Sequence, residues 1–199
     1  MTQSFARAIS IVGHPMLALP LAALALTLAR GQYRTALWMT VGFSAFAALV
    51  MGYSAWQVGH GRWSHVDASS TGERRSLNRF LLLSLLVSTG LAAAFPRSGE
   101  LTLGLGLSAA MVLFAQLTAR WWKLSLHMAF ITFATGLLLA GAVWWAGLIA
   151  MVFVALVAWS RLTLQRHVPR DLLAGLAVGA AAGIVFAVVA GDATGMGHG

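Results

Sequence analysis

No cysteine occurs in the chain, which excludes disulfides and thiolate chemistry and leaves the redox compartment unmarked. Charge is nearly as scarce. Charged residues make up 9% of the 199 positions, where a soluble domain carries about 25%. What is present instead is apolar: 59% hydrophobic residues and a mean hydropathy of +0.82. Such a chain belongs in a lipid bilayer. Its few charges are lopsided, giving a net +8. Nucleic acid accounts poorly for that excess, because no soluble basic domain carries it. Loops facing anionic headgroups, or a phosphate substrate, account for it better.

A membrane-spanning helix needs about 20 apolar residues. Apolar runs fall at 9–29, 35–56, 79–95, 101–119, 124–140, 142–159 and 172–190. The expectation is an all-α, polytopic transmembrane helical bundle of about six or seven spans, with the split at Gly141 the least marked. Residues 1–190 read as one domain and 191–199, glycine-rich and holding His198, as a disordered tail. The first run lacks a small-residue cleavage site and is followed by further spans, so it reads as a retained helix kinked at Pro15 and Pro20. His14 near its start reads as interfacial. The longest polar segment, 57–78, holds His60, Arg62, His65, Asp67, Glu73, Arg74 and Arg75, with Ser69, Ser70, Thr71 and Gly72 read as helix breakers. Arg120, Trp121, Trp122 and Lys123 mark a headgroup-level junction.

The most informative stretch is the polar island 160–171, Ser-Arg-Leu-Thr-Leu-Gln-Arg-His-Val-Pro-Arg-Asp. Arginine forks are good donors to phosphate oxygens. His167 and Asp171 share one face of a helical turn, and a carboxylate behind an imidazole fixes its tautomer. Pro169 suits the first turn of a helix, and so does the negative charge of Asp171. Headgroup-level loop charge is the plain alternative for such residues. The ordered pattern Ser160-Arg161-x5-His167-x3-Asp171, however, resembles the third signature of the type 2 phosphatidic acid phosphatase superfamily. The resemblance implies a phosphate-accepting nucleophile at His167, an orienting carboxylate at Asp171 and phosphate binding by Arg161, with Ser160 beside it.

Two further segments are compared with that family's remaining signatures. Its second signature is Pro-Ser-Gly-His. Here Ser125 and His127 keep the spacing, while Leu124 and Leu126 replace the Pro and Gly. The resemblance implies that His127 is the general acid for the leaving alkoxide. Ser125 is a good N-cap residue, and free amides at a helix start attract anions. The first signature, Lys-x6-Arg-Pro, has no strict counterpart. Arg74 or Arg75 stands where its arginine should fall, and Lys123 could supply the missing cation. No metal or other cofactor is implied. His60, His65 and Asp67 as a metal site, or a histidine-bound haem, are weaker alternatives.

Counting spans places the segments 57–78, 120–125 and 160–171, and the N-terminus, on one side of the bilayer. Arg30, Arg34 and Arg97 fall on the other side, and the remaining ten of the 13 basic residues on the motif side. The positive-inside rule then turns the motif face to the cytoplasm, in a bacterial inner membrane. The expected function is hydrolysis of a membrane lipid phosphate or diphosphate through a phosphohistidine. A non-enzymatic transporter or scaffold is the competing class, although polar groups gathered at one interface fit it less well.

Overall fold

The structure, a computed structural model, describes residues 2–66, 68, 70–96, 98–121 and 123–195, with side chains as far as 191. Asp67, Ser69, Arg97, Trp122 and His198 therefore lie outside the described residues. The described residues form eight helices and no strand. They are α1 (Thr2–Val12), α2 (Pro15–Ala29), α3 (Tyr33–Gly59), α4 (Thr71–Ala93), α5 (Gly99–Thr118), α6 (Leu126–Ala140), α7 (Trp144–Thr163) and α8 (Pro169–Gly195). By length and composition, α3, α4, α5, α7 and α8 can each cross a bilayer, and α1 with α2 makes a sixth candidate if counted as one bent span. The polytopic helical bundle expected from hydropathy is the architecture found.

Four boundaries differ from expectation, each for a local reason. The first apolar run is not one helix: α1 and α2 meet at 54°. Pro15 disfavours helical geometry in the residue before it, and His14 is extended (φ −65°, ψ 137°). Pro15 itself opens α2, where its missing N–H costs nothing, and α2 continues through Pro20. At the start of α4, Ser70 and Thr71 begin a helix rather than break one. The Ser70 hydroxyl accepts from the Glu73 amide at 3.2 Å, while the Glu73 carboxylate accepts from the Ser70 amide at 2.8 Å, a reciprocal capping box. Helix α7 runs through Ser160 and Arg161 before ending at Thr163. Helix α8 continues to Gly195, beyond the expected end at 190.

The centre of the bundle is α6. Its 15 residues span about 22 Å, less than the roughly 30 Å of a bilayer's hydrocarbon. Met128, Ala129, Phe130, Ile131, Phe133, Ala134, Leu137 and Leu138 are all buried, so α6 is covered around most of its surface, leaving the face of Thr132 and Gly136 partly open. Its most extensive partner is α8. Gly175, Gly179 and Gly183 recur every fourth residue and form one ridge of α8. A Cβ on Gly175 would sit 2.5 Å from the Ser125 carbonyl oxygen, and one on Gly179 would collide with the Ala129 carbonyl. Gly183 faces Gly136 backbone to backbone. Without side chains between them the two helices approach closely, which is how helices gain packing energy in lipid.

Two polar ties orient the ends of the bundle. Gln116 near the end of α5 donates to the Asn78 carbonyl of α4 at 3.1 Å. At the other end, Arg30 pairs with Glu100 at 2.6 Å. The starts of α4 and α6 and the end of α7 thus share one end of the molecule, as span counting anticipated.

Candidate active site

Two chain segments meet directly at that end. The amide of Ser125 donates to the carbonyl of Asp171 at 3.2 Å. Lys123 Nζ donates to the carbonyl of Arg166 at 3.2 Å. The start of α6 is thereby fastened to the turn between α7 and α8.

Ser125 occupies the N-cap position of α6 in an extended conformation (φ −82°, ψ 99°), but its hydroxyl makes no cap bond. That hydroxyl is buried and, among the described residues, has no partner. The first backbone bond within reach of the helix start is Ala129 N–H to Ser125 C=O at 3.0 Å. The amides of Leu126, His127 and Met128 have no backbone acceptor among the described residues. A helix start with a positive dipole end, open amides and an uncommitted hydroxyl suits an anion.

His167 lies in the turn after α7, past Gln165, which takes a left-handed conformation (φ 52°). Its Nδ1 faces Asp171 Oδ2 at 3.4 Å, a long contact. The same oxygen accepts from the Val168 amide at 3.4 Å, and Arg170 stands 3.8 Å from the other. The side chains of His167 and Asp171 are 9% and 5% exposed. A carboxylate can only accept, so Nδ1 carries the proton and Nε2 keeps its lone pair. Burial pushes the His167 imidazole down from 6.5 to about 4, with Arg161 and Lys123 adding to the fall and Asp171 opposing it. At neutral pH the ring is therefore uncharged.

Arg161 is in the last turn of α7, where its Nη1 donates to Ser10 Oγ at 2.9 Å. Its Nε is buried with no partner among the described residues. His127, the second residue of α6, lies in the field of Arg161, His14, His167 and Arg166. Three imidazoles, those of His14, His127 and His167, and two guanidinium groups therefore converge, together with Lys123 and the α6 amides. Such a constellation can hold a phosphoryl group and carry protons to and from its oxygens.

Other residues singled out in the sequence are placed differently. Ser160 is fully buried and its hydroxyl donates to the Ala6 carbonyl at 2.6 Å, so it anchors α1. Arg74 and Arg75 sit in the first turns of α4, which packs chiefly on α5. Arg75 lines a groove with Tyr53, Ser76, Arg79 and Phe80. His60 turns back on its own helix, its Nδ1 2.8 Å from the Trp56 carbonyl. Ser10 and His14 were not read as site residues from sequence, yet both reach the site. Their only sequence signal is a polar pair flanking the Gly13–Pro15 break.

Fold and site together describe a helical membrane protein with histidines and cations gathered at the start of α6. The chain belongs to the PAP2 superfamily, whose family model matches residues 92–194. The match covers α5 to α8, and hence His127, Arg161, His167 and Asp171, but not α1 to α3. Members of this superfamily are phosphatases, which places the chain among the phosphoric ester hydrolases. Comparison with curated proteins and with solved structures returned no match.

Proposed function

We propose that the protein hydrolyses a lipid phosphate or diphosphate through a phosphohistidine, without a metal. The observation that carries this reading is the convergence of His127, His167 and Arg161 at the start of α6. Arg161, Lys123, the Ser125 hydroxyl and the α6 amides bind the phosphoryl oxygens. Positioning and charge stabilisation are the main contributions in such a transfer. His167 Nε2 attacks phosphorus in line, the bond to the leaving oxygen breaks, and His127, which takes up a proton as the phosphoryl anion binds beside it, gives that oxygen its proton. Water then attacks phosphorus, the P–N bond breaks and His127 takes the proton from water.

A lipid substrate is supported by an apolar groove of about 440 Å³ on α6, α7 and α8. Thr132, Gly136, Val154, Leu176 and Gly183 line it, away from the polar end of the same helices. A hydrocarbon tail can lie there while its headgroup reaches His167. Polyprenyl diphosphate, phosphatidic acid and phosphatidylglycerophosphate types all meet this description. The excess of basic residues beside the site supports a cytoplasmic active face in a bacterial inner membrane.

The test is release of inorganic phosphate by the purified protein in detergent, from a panel of lipid phosphates and diphosphates with no metal added. Wild type should release phosphate, vanadate should inhibit, and His167→Ala should be inactive. A panel without turnover would favour a transporter or scaffold.

A further inference from the structure

The segment outside the family match contributes an element to the site. Helix α1 is clamped onto the end of α7 by two bonds from adjacent residues, Ser160 Oγ to the Ala6 carbonyl at 2.6 Å and Arg161 Nη1 to Ser10 Oγ at 2.9 Å. Gly13 lies against Val157, where a Cβ would come within 2.5 Å of a methyl group. The chain then turns, and His14 meets His127 edge to face, ring centres 5.1 Å apart and planes at 89°. His14 is also the N-cap of α2: its Nδ1 accepts from the Met16 amide at 3.2 Å. An accepting Nδ1 leaves the proton on Nε2, so the cap fixes both the rotamer and the tautomer of the ring.

We infer that His14 is a positioning residue for His127, delivered to the site by the elbow between α1 and α2. The inference rests on the proposed role of His127 in phosphoryl transfer. His127 is in the first turn of α6. A perpendicular ring held by a helix cap removes one direction in which the imidazole can swing. The same α1 contact holds Arg161 through Ser10. One N-terminal element thus sets both a phosphate-binding cation and the proton-carrying ring.

Capping and ring contact can be separated by substitution. Asparagine is a good N-cap but too short to reach His127, so His14→Asn keeps the first role and loses the second. His14→Ala loses both. With the lipid substrate turned over by wild type, His14→Asn should lower kcat by on the order of ten- to a hundredfold, the scale expected of a misplaced catalytic group. KM should stay within about twofold, since Arg161 and Lys123 remain. The melting temperature of His14→Asn should match wild type, while that of His14→Ala should fall by about 2–4 °C. Protein carrying ¹⁵N-histidine gives a second reading that needs no activity: the ring signals of His127 should move in His14→Asn. Wild-type kcat together with unmoved His127 signals would overturn the inference. So would a loss of kcat with those signals unmoved, because His14 would then act on the substrate directly. A wild type that hydrolyses no lipid phosphate would remove the proposed function, and the ¹⁵N signals alone would then decide whether His14 positions His127.

Discussion

The amide of Ser125 donates to the carbonyl of Asp171 across 3.2 Å, tying the start of α6 to the start of α8. The contact is made from backbone, so no side chain at either position can weaken it directly. Directly below it Gly175 lets α8 lie against the Ser125 carbonyl. With the bond from Lys123 to the Arg166 carbonyl, it joins the segment bearing His127 to the segment bearing His167.

Asp171→Asn should leave the fold intact and lower kcat by on the order of 10³–10⁴, because an amide no longer dictates that Nδ1 carry the proton. A single-turnover phosphate release assay checks it. Retention of more than a tenth of wild-type kcat would show that Asp171 does not orient the nucleophile.

The pH profile follows from the state of His167. In the proposed reaction the neutral ring attacks, and burial holds its pKa near 4. The acid limb of kcat/KM should therefore fall as pH drops through about 4, not through 6.5. Asp171 raises the pKa, so Asp171→Asn should move this limb to still lower pH. The same group has a stability signature. Between 6.5 and about 4 the unfolded chain takes up a proton that the folded site resists. Its contribution is present in full above 6.5 and is lost as pH falls toward 4. An acid limb near 6.5 would contradict a buried, cation-flanked nucleophile.

Gly179→Ala should destabilise the protein by about 1–3 kcal/mol, as overpacking does, and should reduce turnover by moving α6 relative to α8. Its Cβ would meet the Ala129 carbonyl and Thr132. Gly42→Ala is the contrast: nothing lies within 4 Å of that Cβ, and α3 should gain up to about 1 kcal/mol. Thermal unfolding in one detergent compares the two. Equal melting temperatures would rule out the glycine ridge as the contact that sets the helix spacing.

Arg161→Lys should reduce kcat/KM by about 10²–10³, the scale of losing one preorganised donor, since an ammonium cannot both hold Ser10 and face phosphate. Arg75→Ala should change it less than about threefold, because Arg75 lines the groove beside Tyr53 and Phe80. Steady-state kinetics of the pair decides between them, and equal losses would bring the α4 arginines into the site.

Much of this was legible along the chain. The apolar runs announced the helices because each must bury its own backbone hydrogen bonds in lipid. Their number set which polar segments share an end. The spacing of His167 and Asp171 required only one turn of chain. The Ser70–Glu73 capping box was also written locally, in residues that read instead as breakers. The GxxxGxxxG ridge at 175–183 was visible as spacing, but which helix it faced was not.

What the sequence determined by itself is the membrane class, the helical architecture and the short-range His167–Asp171 pair, all of which follow from hydropathy and from contacts within one helical turn. Only the tertiary structure decided that Ser160 holds α1, that Arg75 faces a different groove and that His14 stands against His127. Those outcomes depend on the bend between α1 and α2 and on the close approach of α6 and α8. The bend itself is local, at Pro15, but the contacts it permits and the close approach of α6 and α8 join residues more than a hundred or some fifty positions apart, which no local pattern encodes.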